Sequence, residues 1–203
     1  MPVQIGAKAH SFSDPTGLLS DCHRRIEMFL RVLEAVASVI DRPMTEETRA
    51  ALDPALRYFR EAVPQHTADE EESLFPRLRQ MHLPDIEAAI QRLEPLEHDH
   101  LLAGSLHAVV EELGQLYLAT KSLEPTGVEV FRNAIASLVS IYKQHISIED
   151  ELVFPLAARL LSGNDKAAMA DEMAARREEK EWGKEEIKEV KISVGDRATT
   201  RCN

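Results

Sequence analysis

Two similar eleven-residue segments of the 203-residue chain each open on a histidine with a glutamate four positions on: His66 with Glu70 in HTADEEESLFP (66–76), and His145 with Glu149 in HISIEDELVFP (145–155). On a helix, residues i and i+4 stand on one face about a turn apart, so each pair presents both groups to the same place. A shift of 79 residues superimposes the segments, matching His66 with His145, Glu70 with Glu149, Glu72 with Glu151, Phe75 with Phe154 and Pro76 with Pro155. Five identities in eleven positions exceed what helical composition alone accounts for. Upstream, His23 in DCHRRI and His100 in HDHLLA precede the repeat histidines by 43 and 45 residues. The chain therefore reads as two helical hairpins, each supplying one histidine from its first helix and a His-x-x-x-Glu pair from its second.

Carboxylates facing the inside of a helical bundle need a partner, because desolvation would otherwise neutralise or expel them. Two metal cations would be such partners. Mixed imidazole and carboxylate ligation suits iron, manganese or zinc, and two bridging carboxylates inside a bundle point to a dinuclear iron or manganese centre. The competing interpretation of His66, Glu70, His145 and Glu149 is an exposed polar surface, and that of His23 and His100 a hydrogen-bonded core histidine. Asp69, Glu71, Glu72, Asp150 and Glu151 are expected to face water, although one of them could accept from the second nitrogen of a ligand histidine. His98 is expected on the surface, His107 inside the bundle near its end, His10 at the terminus and His82 in a loop.

The elements that position these groups follow from apolar residues at helical spacing. The first segment runs from about Pro15 to Ile40 with Leu18, Leu19, Ile26, Phe29, Leu30, Leu33 and Val36. The second opens near Thr45 and carries Leu56, Phe59, Val63, Leu74 and Leu78, with bends expected at Pro64 and Pro76. The third runs from about Pro84 to Leu118. The fourth follows Glu124-Pro125 with Val130, Ile135, Leu138, Val139, Ile141, Tyr142, Ile148, Leu152 and Phe154. Short connections predict an all-α, antiparallel up-down-up-down four-helix bundle with an additional C-terminal helix and a charged tail. The expected layout is an arm over 1–13, the bundle over 14–162, an accessory helix over 163–180 and a charged, disordered tail over 181–203. The alternation of Val190, Ile192 and Val194 leaves a short strand as the other interpretation of that tail.

Residues equidistant from the loop of an antiparallel hairpin lie at one height. The midpoint of His23 and His66 falls at 44.5, that of His66 and His100 at 83, and that of His100 and His145 at 122.5, all in or beside expected loops. The four histidines should thus form one layer across the bundle.

This pattern of His23, His66-x-x-x-Glu70 with LFP, His100 and His145-x-x-x-Glu149 with VFP resembles the hemerythrin-like, or HHE cation-binding, family over about residues 14–161. The resemblance implies a non-heme centre of two iron ions, oxo- or hydroxo-bridged, with manganese or zinc as lesser alternatives. Glu70 and Glu149 would bridge, with His23 and His66 on one iron and His100 and His145 on the other. It implies a protein that reacts with or senses a small oxidant, namely oxygen, peroxide or nitric oxide. The alternatives are an iron-handling or iron-sensing module without catalysis, and a metal-free helical interaction domain; whether the protein is an enzyme stays open. Oxygen carriers of the family have a further histidine one turn along the third helix, where this chain has Gly104, and place the last carboxylate five rather than four positions after its histidine. Those departures leave coordination positions to water or to another carboxylate, for which Glu27 and Glu97 are the candidates.

Bulk composition agrees with a helical protein: 44% hydrophobic residues, 5% aromatic and 8 glycines. A formal charge of -11 argues against a nucleic-acid partner, which would require a basic face. The chain has no apolar run of the roughly 18 to 20 residues that span a bilayer, and MPVQIGAKAH lacks an apolar signal core, so no membrane partner and a cytoplasmic location are expected. Cys22 and Cys202 are too few for a disulfide framework, in keeping with a reducing compartment.

Overall fold

The computed structural model describes residues 10–81, 83 and 86–178. Most of the expected arm and the whole expected tail, with its possible strand, lie outside the described residues. Among those residues the chain is all-helical: α1 (Pro15–Ala37), α2 (Glu46–Glu61), α3 (Val63–Ala68), a first π turn (Asp69–Leu74), α4 (Phe75–Gln80), α5 (Glu87–Thr120), α6 (Pro125–Ile148), a second π turn (Glu149–Val153), α7 (Phe154–Leu160) and α8 (Gly163–Glu178). Capping starts the first two helices. The Asp14 side chain accepts from the Gly17 amide at 3.1 Å with Pro15 next in line, and Thr45 accepts from the Thr48 amide at 3.1 Å. α5 ends at Lys121, whose φ of 65° is reached without glycine. The Lys121 carbonyl takes the Met44 amide at 2.9 Å, and the Tyr117 hydroxyl donates to the Arg42 carbonyl at 3.0 Å, which together lace the loops at that end.

Four rods result: α1, the run from α2 to α4, α5, and the run from α6 to α7. α1 packs on α2, α2 on α5, α5 on α6, and α6 back on α1, closing a ring. Pro54 lies within α2 without ending it. Pro64 follows the break at Ala62, and Pro76 follows the first π turn, so the expected bends are a segment break and a change of helical register. The expected apolar positions line the core, with two exceptions, of which Ile141 is half-buried and in neither apolar cluster. Val130 is 49% exposed and Phe131 beside it is fully buried, because the larger side chain takes the inward place.

The core is divided. One apolar cluster contains Ile26, Leu30, Leu33, Leu56, Phe59, Val63, Ala103, Phe131, Leu138 and Ile146; a second contains Leu18, Leu19, Leu74, Phe75, Leu78, Leu93, Leu96, Val153, Phe154 and, from α8, Met169 and Met173. On every rod the boundary falls at or beside the predicted site residues: His23 between Leu19 and Ile26, His66 and Glu70 between Val63 and Leu74, His100 between Leu96 and Ala103, and Glu149 between Ile146 and Val153, with His145 next to Ile146. The site is thus a polar layer sandwiched between two apolar ones.

Candidate metal centre

Both His-x-x-x-Glu pairs sit where the helix changes register. In the first π turn the Phe75 amide donates to the Glu70 carbonyl, and in the second the Phe154 amide donates to the Glu149 carbonyl, each spanning five residues instead of four. Pro76 and Pro155 come directly after these donors and have no amide, so α-helical bonding cannot resume at that step. A π turn accommodates one extra residue within the helix and widens the inward-facing arc. In the first repeat Asp69, Glu70, Ser73, Leu74 and Phe75 are all buried, more than one α-helical face holds.

The structure brings His23, His66, Glu70, His100, His145 and Glu149 together in two clusters. His23, His66, Glu70 and Glu149 form one, Glu70, His100, His145 and Glu149 the other; within each, one potential ligand atom per residue lies within 4.8 Å of the rest. Both carboxylates belong to both clusters. Glu70 Oε1 is 3.2 Å from His66 Nε2 and 3.8 Å from His23 Nε2, while Glu70 Oε2 is 3.3 Å from His100 Nε2. Glu149 Oε2 is 3.0 Å from His145 Nε2 and 3.1 Å from His23 Nε2. Glu70, Glu149 and His23 are fully buried.

These residues fit metal cations by a test internal to the site. All four oxygens of Glu70 and Glu149, with His23 Nε2, are buried without a hydrogen bond of acceptable geometry. His100 Nε2 and His145 Nε2 face each other at 3.1 Å. Donor atoms sharing an ion at about 2.1 Å lie roughly 3 to 4 Å apart, the spacing of these atoms. An ionised carboxylate buried without a partner costs several kcal/mol, and two face each other here.

Protonation reports the same conflict. Burial pushes the Glu70 carboxyl well above its ordinary value and the Glu149 charge reinforces it. Burial acts likewise on Glu149, but His145 and His23 outweigh it and hold that carboxyl low. Burial would deprotonate His23, yet contacts with Asp150 and Glu149 hold its pKa up to about 10. His66 is driven well below its usual value by burial and by the His23 charge. Cations would replace this uneven sharing of protons with deprotonated ligands throughout.

Around the layer stand residues whose individual parts the sequence leaves open. Glu71 Oε1 lies 2.7 Å from His100 Nδ1, and Asp150 Oδ1 lies 3.0 Å from His23 Nδ1. Phe75 stacks toward His100 at 6.4 Å and 5°, and Phe154 on His23 at 5.1 Å and 17°. Each repeat therefore supplies an acid and a phenyl ring that orient the first-helix histidine of the other half. Hydrogen-bonded carboxylates of this type fix the tautomer and ring direction of a ligand histidine. Asp99 approaches His145 Nδ1 more loosely, at 3.5 Å. Asp150 also accepts from Ser20 at 2.8 Å and pairs with Arg24. The available signal was an acid five positions after the histidine in both repeats, chemically alike but not identical. The identical pair, Glu72 and Glu151, is exposed, as expected.

Further expectations are corrected. Asp69 is fully buried rather than solvated, held by Arg176 and Arg177 of α8. Glu27 pairs with Arg24 at 3.4 Å and Glu97 with Arg79 at 2.8 Å, and neither belongs to the clusters. Gly104 is exposed, with open space where a Cβ would project. His98 is exposed as expected. His107 is interior: its Nε2 takes the Tyr142 hydroxyl at 2.9 Å, its ring stacks on Phe59 at 4.4 Å, and desolvation lowers its pKa to about 4. Among the described residues no helix is long and apolar enough to cross a membrane.

No curated protein and no solved structure matches the chain significantly. A family model does, that of the hemerythrin HHE cation-binding domain, over residues 14–157, the span that contains all six clustered side chains. The chain belongs to the hemerythrin HHE cation-binding domain family.

Proposed function

We propose that this chain is a non-heme diiron protein of hemerythrin-like type that reacts with or senses a small oxidant such as oxygen, peroxide or nitric oxide. The observation that carries the reading is the sharing of Glu70 and Glu149 between two clusters, each completed by two histidines. The reading that Glu70 would bridge is supported by one of its oxygens lying toward His66 and His23 and the other toward His100. His23 and His66 would hold one ion, His100 and His145 the other. Two irons would supply redox electrons and coordination positions open to a small oxidant.

The chain's own groups act around that chemistry. Asp150 and Glu71 keep a proton on Nδ1 of His23 and His100, so that each Nε2 presents its lone pair to the site. Leu74, Phe75, Val153 and Phe154 close one side against water. A bundle of the up-down-up-down type is supported by pairs whose numbering runs in opposite senses: His23 with His66 and Phe29 with Tyr58, then His100 with His145 and His107 with Tyr142. The free, buried thiol of Cys22 supports a cytoplasmic setting, and the net charge of -11 one without nucleic acid. A second reading, iron handling or sensing without turnover, is favoured by the closure of the centre, with His23, Glu70 and Glu149 at 0% exposure.

The test is to purify the protein from iron-replete cells, count metals per chain, and follow the visible spectrum after anaerobic reduction and addition of oxygen, peroxide or nitric oxide. Two irons with rapid spectral change support chemistry at the centre. Two irons inert to all three support handling or sensing, and absence of stoichiometric metal under every loading condition overturns both.

A further inference from the structure

α8 lies beyond the four rods, yet it ends on the residue next to Glu70. Its apolar side inserts Met169 and Met173, both fully buried, into the second apolar cluster. Its last turn then brings two guanidinium groups onto the first π turn. Arg176 donates to Asp69 Oδ1 at 3.0 Å and to Ser73 Oγ at 2.9 Å, and it also meets Glu72 at 3.2 Å. Arg177 donates to Asp69 Oδ2 and to the Met173 carbonyl. Asp69 thus has each oxygen on a separate arginine while fully buried. Arg77 in α4 adds a bidentate pair with Glu172 at 2.7 and 3.0 Å, so α8 is fixed along two turns.

A π turn requires such support more than an α-helix does. Its hydrogen bonds are longer-range and less favourable, and it persists only where its surroundings hold it. The second repeat has Ile148 at the place of Asp69 and Leu152 at that of Ser73, so nothing equivalent can grip it from outside; it is tied through Asp150 to α1 instead. The clamp is specific to the half that presents Glu70.

We propose that Arg176 and Arg177 are positioning residues for the metal centre: by seating Asp69 they fix the first π turn in the register that aims Glu70 into both clusters. The inference rests on the metal-binding reading of Glu70.

The test uses the full chain and cobalt(II) alone as probe, reading affinity by competition with a chelator, the visible ligand-field spectrum, and the thermal midpoint of the metal-free protein. Arg176→Ala/Arg177→Ala and Asp69→Ala are each expected to weaken cobalt binding roughly 10- to 100-fold. Both should alter the spectrum in the same way, and the combined variant should be no worse than either, since all three residues form one unit. Arg176→Lys/Arg177→Lys, which keeps the charge but loses the fork, should recover part of the affinity. Wild-type affinity and spectrum with only a lowered thermal midpoint would overturn the inference, leaving α8 a stabilising element. Fully additive losses would also overturn it, because the arginines would then act elsewhere. Failure of the wild-type chain to bind cobalt stoichiometrically would instead bring down the metal-binding reading and this inference with it.

Discussion

The segments 66–76 and 145–155 have the same backbone and different neighbours. In each, the amide before a proline reaches back five residues to the carbonyl of the clustered glutamate, and an acid and a phenyl ring one turn apart turn toward the first-helix histidine of the other half. The surroundings differ. The first repeat is gripped from outside by α8 through Asp69, while the second is laced to α1, where Asp150 holds Ser20, His23 and Arg24 together. The geometry of the centre is symmetric because the repeat is, whereas the support of each half was assembled from whatever packs beside it. Equivalence should therefore hold for ligands and fail for their supports.

The largest expected effect tests the symmetric part. Glu70→Ala and Glu149→Ala should each abolish stoichiometric binding of both metals, measured by elemental analysis of the purified variants; a variant that retains one tightly held ion would show that its carboxylate does not bridge. A second test concerns His107, which stands where the first half, aligned on His23 and His100, has Leu30. Its lowered pKa of about 4 means that the fold favours the neutral ring. That contribution is complete above the unfolded value near 6.5 and is lost as pH falls toward 4, at most about 3 kcal/mol. Chemical denaturation of metal-free protein between pH 7 and 4 should show the slope, and His107→Gln should flatten it; an unchanged slope would assign the acid sensitivity to the site itself.

Smaller effects separate the supports. The sequence alone leaves Glu71 most simply facing water, but the structure gives it a histidine to orient. Asp150→Ala and Glu71→Ala should weaken affinity by roughly 10- to 100-fold, with Asp150→Ala the more damaging because Asp150 also holds Ser20 and Arg24. Equal losses in a chelator competition would mean that only the histidine contact matters. Least of all, Glu72→Ala and Glu151→Ala should change stability by no more than about 1 kcal/mol and leave metal content unaltered, as expected of exposed charges. Loss of metal in either would contradict the finding that the merely similar pair, Glu71 and Asp150, supports the histidines while the identical pair faces water.

Much of this architecture was legible beforehand. Four histidines could be brought to one height because helical rise is constant and the loops announce themselves through Pro43, Pro84 and Pro125. The helical class followed from periodicity, and the family from the order of histidines and glutamates. The π turns were not legible: a four-residue His-to-Glu spacing fits an α-helix equally well, and a proline signals a lost donor without saying how the helix adjusts. That an acid beside the pairs could support a ligand histidine was legible, but not which: identity drew notice to Glu72 and Glu151, whereas Glu71 and Asp150 differ by a methylene. Asp69 was misplaced because its partners, Arg176 and Arg177, lie more than a hundred positions away, and local pattern holds no trace of such a contact.

The polar layer has a consequence for how the molecule opens. Two apolar clusters with a layer of charged and imidazole groups between them can each exclude water separately, so the layer is a seam between two units of local stability. A cation held by all four rods would weld that seam and make the two clusters unfold as one, whereas its loss would let the end bearing α8 loosen while the other remains closed. Metal content would then govern the cooperativity of unfolding, beyond its effect on stability alone.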